Sequence, residues 1–380
     1  MHEHKQNQCR RKVKHRKNVM KLIIFCITVG ISLMFIYYQN LRKEIDARQK
    51  WLETVLTGEK KWILENQGPE GEFYMNGSKA GDVNPYFACM AALGLLAETK
   101  NCPITETEKK AVGRYLDWHT GILLETDGKM GIYRKKSGKL IYKEKADSED
   151  GYLGMYLFLM GKYLEKTEST DLPEYWKKGI SLALKKIQSL MQDGITQVSE
   201  ENTTVYLMDN LEVWKGLYEL EHAGLKDAQA IREMRNKLQA QIEKLFWDDA
   251  NQRWRIIENS DLYHQKEFYP DGVAQIYPLI YEFPVKEKKK QKILYKQFTE
   301  RFQWQKLTKK RNGFLWAMTG MAAAQMGDIN NLLEMIRNYE AEYCENRKYP
   351  LYTGEAGWIC MECEKLYSLY ERKIKTGFLV

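Results

Sequence analysis

The order of apolar and polar positions divides most of the chain into two kinds of segment. One kind opens on a polar or acidic cluster and then runs apolar almost all the way round, with small residues on one side. Six stretches share this form: GDVNPYFACMAALGLLAE (81–98), DSEDGYLGMYLFLMGKYLE (147–165), YLMDNLEVWKGLYELE (206–221), FYPDGVAQIYPLIYEF (268–283), NGFLWAMTGMAAAQMGD (312–328) and YTGEAGWICMECEKLYSLY (352–370). Charge-rich stretches with apolar residues at i, i+3 and i+4 alternate with them, at about 44–66, 104–119, 173–192, 227–247, 286–303 and 329–345. A helix apolar on every side must be covered on every side, and one apolar along a single stripe must be the cover. The pattern therefore predicts an all-α fold of six helical hairpins, an (α/α)6 barrel with six inner and six outer helices. The inner helices would open on one side, so their acidic clusters would converge on one mouth.

The connections fit this reading. Pro103, Pro173 and Asp328 mark short turns into outer helices, whereas the long connections precede inner ones. Residues 121–145 carry Asp127-Gly128 and Ser137-Gly138 between alternating apolar positions, which predicts a strand and hairpin. A second excursion runs from Arg253 to Phe268. Both would rim the mouth.

Charge changes the picture at one end only. Residues 1–21 hold eight basic side chains against one acidic one, a net of +7, and the other 359 residues hold 51 against 50. A nearly neutral body gives little support to a nucleic-acid footprint on it. LIIFCITVGISLMFIYY, Leu22 to Tyr38, has no charge and would form about 25 Å of helix, at the short end of a bilayer span. A cleaved signal peptide begins in the same way, but no small-x-small site follows and the chain continues into a polar helix. We therefore expect a basic cytoplasmic tail (1–21), a transmembrane signal anchor in the lipid bilayer (22–38) and an extracytoplasmic domain over 41–375, oriented by the positive-inside rule. Five cysteines in the body exclude a complete disulfide framework, and Cys360 and Cys363 read as packed thiols. No metal or cofactor is expected, because the acidic cluster lacks calcium-loop spacing and histidines are not clustered.

The candidate chemistry lies in the acidic clusters. Cutting a glycosidic bond takes one protonated and one ionised carboxyl group. Neighbouring carboxylates in a partly desolvated site raise one another's pKa, so Asp147, Glu149 and Asp150 would supply a raised acid. Glu149 and Asp150 are the catalytic candidates of this cluster, and Asp271, on another inner helix, is the candidate base. Asp82, Asp209 and Glu355 stand at other inner-helix starts, where an acidic residue caps the helix or binds sugar. Tyr86, Tyr152, Tyr269, Trp316 and Trp358 lie within a few positions of such starts and offer faces on which sugar rings stack. Together with Asp147 these form the expected substrate-binding set.

Residues 45–370 resemble the six-hairpin glycosidase superfamily. DSEDGYLGMYL, YLMDNLEVW, FYPDGVAQIYPL and GEAGW are similar to signature stretches of its bacterial members. Ser148-Glu149, Gly151-Tyr152 and Gly154-Met155 bear a weaker likeness to the SEGxGYGM segment of glycoside hydrolase family 8, whose glutamate is a general acid. Here the order is SEDGYLGM, and the segment opens the second inner helix. The resemblance implies the toroid and a hydrolase of polysaccharide or oligosaccharide.

Other toroid chemistries fit less well. Sugar epimerases rely on histidine bases, and the body has only His119, His222 and His264. Terpene cyclases need DDxxD or DxDD, and neither occurs. A non-catalytic glycan-binding module would use the same aromatics and differ only in the spacing of two carboxyls. The expectation is a membrane-anchored glycoside hydrolase acting on a surface or secreted polysaccharide.

Overall fold

The computed structural model describes residues 2–77, 81–136, 139–169, 172–225, 228–260, 267–307, 311 and 313–376. The chain falls into two compact units, Met1–Leu52 with Tyr370–Val380, and Glu53–Leu369.

Twelve α-helices occur among the described residues. The odd-numbered ones are α1 (His2–Glu65), α3 (Glu106–Glu125), α5 (Glu174–Leu190), α7 (Ala228–Phe246), α9 (Lys288–Phe302) and α11 (Ile329–Tyr339). The even-numbered ones are α2 (Pro85–Leu95), α4 (Glu149–Thr167), α6 (Leu207–His222), α8 (Val273–Ile280), α10 (Thr319–Met326) and α12 (Thr353–Thr376). Each predicted segment is a helix, and the two burial patterns separate as expected. Residues 149–161 of α4 are buried without interruption, whereas α7 buries only Ile231, Leu238, Ile242 and Phe246, a single stripe.

Local signals set the helix starts. Asn84 accepts from the Tyr86 amide ahead of Pro85, and Thr105 and Glu108 form a reciprocal capping box. Ser148 accepts from Gly151, and Asp328 from Asn331.

Within Glu53–Leu369, neighbouring even-numbered helices pack on one another from α2 through α10. At α12, Trp358 donates its indole N–H to Met90 of α2 (3.2 Å), closing the ring. The α4–α6 contact is close: a Cβ on Gly154 would lie 2.7 Å from the Val213 backbone nitrogen, and one on Gly216 would lie 2.3 Å from the Gly154 carbonyl oxygen. Only glycine admits such an approach. This is the (α/α)6 toroid.

The predicted hairpin is also present. Strands β1 (Asp82–Val83), β2 (Gly131–Lys136) and β3 (Lys139–Lys145) form an antiparallel sheet with Lys136 opposite Lys139. The expected Ser137-Gly138 turn lies outside the described residues. In the second excursion Arg253–Trp254 is the strand formed among the described residues, paired with Trp247–Asp248.

In the other unit, the apolar stretch of α1 is solvent-facing, with Leu22 at 63% and Met34 at 73% exposure. It is long and apolar enough to cross a membrane. Arg48 of the same helix donates to the Tyr370 hydroxyl at 3.1 Å.

Candidate active site

The N-terminal ends of all six inner helices meet at one cavity of about 230 Å³. Its walls come from Asn84 and Tyr86 at α2, Asp147 and Tyr152 at α4, Asp209 and Glu212 at α6, Tyr269 and Tyr277 at α8, Trp316 before α10, and Glu355 and Trp358 at α12. A second cavity of about 490 Å³ adjoins it, sharing Asp147, Ser148, Asp209 and Tyr269. The two together form a cleft.

Glu212 is the most deeply placed carboxyl of the first cavity, at 3% exposure. Tyr86 and Tyr277 donate to its Oε1, Tyr277 at 2.6 Å, and Tyr281 lies at 3.4 Å. Its Oε2 rests over Gly151, where a Cβ would sit 2.6 Å away. Burial pushes the carboxyl up to about 8. The tyrosine bonds oppose this, and the charges of Asp150 and Asp147 add to it. At neutral pH Glu212 therefore holds a proton. Asp209 lies one turn earlier on the same helix face. Burial, then Asp150 and Glu212, raise its carboxyl well above the ordinary range.

An aromatic wall faces these acids. The rings of Tyr269 and Trp316 are 4.8 Å apart, and those of Tyr86 and Tyr152 are 5.6 Å apart. Trp316 is held in the left-handed region (φ 61), unusual for a bulky residue. Glu355 fixes this turn: its carboxylate accepts from the amides of Leu315 and Trp316, each at 3.1 Å, and of Ala317 at 2.8 Å. Burial raises its carboxyl to about 7 against those three bonds.

Of the expected substrate-binding residues, Tyr86, Asp147, Tyr152, Asp209, Tyr269, Trp316, Glu355 and Trp358 line the first cavity. Asp82 does not. It sits in β1 with Arg134 Nε at 2.5 Å and Lys143 at 2.9 Å, and these pairs hold it below the ordinary carboxylate range.

The three catalytic candidates are not gathered as expected. Asp147 and Ser148, just before α4, and Gly151 and Tyr152, within it, line the cleft, whereas Glu149 and Asp150 of its first turn do not. Glu149 pairs with Lys145 at 3.4 Å. Asp150 accepts from Ser148 (2.8 Å), Thr196 (2.7 Å) and its neighbour's amide, and burial raises it to about 6 against those bonds. It braces the loop after α5 and acts on the cleft through charge. Asp271 is buried and lines only the second cavity.

Glu212 and Tyr277 were not among the sequence candidates. The signal for Glu212 was present: a charged residue in an apolar run, three positions after Asp209 in MDNLE. Tyr277 carried no comparable mark.

No protein-family model and no curated protein sequence matches the chain. Solved structures do. A wild-type glycosidase is similar at a TM-score of 0.60 and 12% identity, over 85% of this chain and 98% of its own. An α-1,6-mannanase, GH76A of Salegentibacter sp., solved as an inactive variant with α-1,6-mannotetrose, gives 0.53 and 10% over 84% and 99%. D-mannose isomerase gives 0.53 and 11% over 84% and 97%. At these identities the likeness is one of fold, the (α/α)6 toroid that the chain shares with these structures.

Proposed function

We propose that the protein is a membrane-anchored glycoside hydrolase that cuts a polysaccharide by carboxylate acid and base catalysis. The observation that carries this reading is Glu212: a buried carboxyl, protonated at neutral pH, gripped on one oxygen by two phenols and set beside further carboxyls in an aromatic cleft. Such a group is suited to protonating a glycosidic oxygen. In this scheme Glu212 Oε2 donates the proton and Asp147, exposed on the cleft wall, activates water. Asp209 holds a sugar hydroxyl beside them. Tyr269 and Trp316 stack a sugar ring. Asp271 binds sugar in the second cavity, and Glu149 and Asp150 position the start of α4.

The anchor is the apolar stretch 22–38, with the basic tail in the cytoplasm and the domain of 41–375 outside, where polysaccharide is found. The glycosidase folds among the similar structures support the hydrolase class. The isomerase fold alone does not favour isomerisation here. His119 is buried beside Tyr115 with its pKa pushed down to about 3 by burial, and neither it nor His222 lines the cleft. His264 lies outside the described residues.

The test is reducing-end release from a panel of bacterial exopolysaccharides and cell-wall glycans by the full chain in detergent, beside Glu212→Gln and Asp147→Asn. Release that falls by about 10²-fold or more in either folded variant supports the assignment. Glycan binding without release, unchanged in both variants, would instead make the protein a binding module.

A further inference from the structure

Two stretches of the body are strongly basic: 286–311, with eleven lysines and arginines against Glu287 and Glu300, and the one that leads into the cleft. Residues 129–145 carry seven lysines and arginines against Glu144, a net of +6, so the rest of the body beyond residue 21 nets −5. This stretch is the β2–β3 hairpin, and its base is built into the cleft. Strand β1 leads into Asn84 and β3 leads through Ala146 into Asp147, both cleft residues.

Some of these cations serve the fold. Arg134 and Lys143 hold Asp82, Lys145 holds Glu149 and Glu201, and Lys135 covers the Tyr74 ring at 5.4 Å. Lys136 and Lys139, opposite each other at the outer end, have no carboxylate within ion-pair distance among the described residues. Between these lysines and the cleft, Tyr142 is 58% exposed and Ile141 is 42% exposed. Tyr142 meets Tyr133 edge-on at 6.0 Å, so a stacking face is presented to solvent from a packed position.

An ionised carboxylate on the cleft wall, such as the base of the proposed reaction, repels a polyanion unless cations nearby offset the repulsion. We propose that the substrate is a polyanionic glycan, carrying phosphate or carboxylate groups, and that its strand leaves the cleft along β2–β3. Lys136 and Lys139 hold its charges and Tyr142 stacks a sugar ring. The seven residues of β3 span about 20 Å, enough to hold anionic groups well away from the cleaved bond. The proposal rests on the glycoside hydrolase reading of the cleft.

The experiment measures binding of the full chain, in nanodiscs of zwitterionic lipid, to a poly(glycerol phosphate) glycan, a polyuronate, a neutral mannan and dextran, from about 50 to 300 mM salt. Wild type, K136Q/K139Q, K136R/K139R and Glu212→Gln are compared. The expected result is binding at least about tenfold tighter for the anionic polymers at low salt, lost as salt rises. K136Q/K139Q should lose it, with its melting temperature unchanged because both residues lie on an exposed rim. K136R/K139R should keep it. Equal binding of neutral and anionic polymers overturns the proposal, as does anionic binding that K136Q/K139Q leaves intact. Hairpin-dependent capture by anionic lipid vesicles with no preference among glycans also overturns it, in favour of a membrane contact. The two readings fail separately. Release from neutral polymers alone removes the polyanion and keeps the hydrolase, whereas hairpin-dependent polyanion binding without release removes the hydrolase and keeps the hairpin site. Glu212→Gln should bind like wild type and release nothing.

Discussion

The two ends of the inner helices use the same charged groups to opposite effect. At the N-terminal mouth, Asp147, Asp209, Glu212 and Glu355 line the cleft, with no ion pair to Lys or Arg at any of them among the described residues. At the C-terminal ends, another cavity of about 220 Å³ is lined by Lys162, Lys166, Lys215, Lys365, Glu282 and Glu364. There every cation is paired. Lys215 holds Glu219 at 2.8 Å and Glu282 at 2.9 Å, Lys166 holds Glu98 at 2.7 Å, and Lys365 also holds Glu282. The pKa directions follow. Burial and like charge raise Glu212 to about 8. At Glu282, burial works against the carboxylate, but Lys215 and then Lys365 outweigh it and hold it at about 2. One end is left electrostatically unsatisfied and the other is closed. A buried acid beside a cation is held ionised, whereas one without a cation keeps a raised pKa, as at Glu212, Asp150 and Glu355, and is a candidate for chemistry only where it also faces a cleft.

The sharpest test is to remove one acid from the mouth. Glu212→Gln keeps shape and loses the transferable proton, so turnover should fall by about 10²–10⁴-fold with folding intact, measured by reducing-end release and by circular dichroism. Removing one cation from the other end should do the reverse. Lys215→Met removes the buried cation shared by Glu219 and Glu282, leaving them only Lys162 and Lys365, and should cost up to about 3–5 kcal/mol in denaturant unfolding, while molecules that remain folded turn over at close to the wild-type rate.

The ends should also respond to pH with opposite signs. The folded pKa of Glu212 lies above its ordinary 4.5, so stability from this group falls as pH rises from about 4.5 to 8. The folded pKa of Glu282 lies below 4.5, so its contribution is full above that value and is lost as pH falls toward about 2. Thermal melts across pH should show both slopes, with the first flattened in Glu212→Gln. Turnover should decline above about pH 8 as Glu212 loses its proton.

Smaller effects follow for groups that support the mouth. Glu355→Gln weakens the three bonds that hold the Trp316 turn and should cost about 1–3 kcal/mol, with KM rising more than kcat falls. Glu149→Gln should change turnover by less than about tenfold, because its carboxylate pairs with Lys145 outside the cleft. A loss at Glu149 as large as at Glu212 would return the acid role to the 147–150 cluster that sequence suggested.

Much of the fold was legible in the pattern. Burial must recur with the period of the element that hides it, so the twelve helices and the cover or core role of each could be read directly, as α4 and α7 illustrate. Caps such as Asn84 and Ser148 fixed the starts. The site was legible to the level of the mouth, and most of the expected sugar-binding residues line it.

Which carboxyls face the cleft was not legible. Asp147, Glu149 and Asp150 share one local sequence context, but Asp147 stands before α4 begins and the other two in its first turn, about 100° apart, so their destinations differ. Asp82 likewise looked like a mouth residue until β1 paired with β2 and brought Arg134 beside it. The number, order and polarity of the helices are set within single segments, because each depends on local periodicity. Only the tertiary structure decided that Glu212 lies under Tyr86 and Tyr277 while Glu282 lies beside Lys215, because a carboxyl's protonation depends on neighbours that arrive from distant parts of the chain.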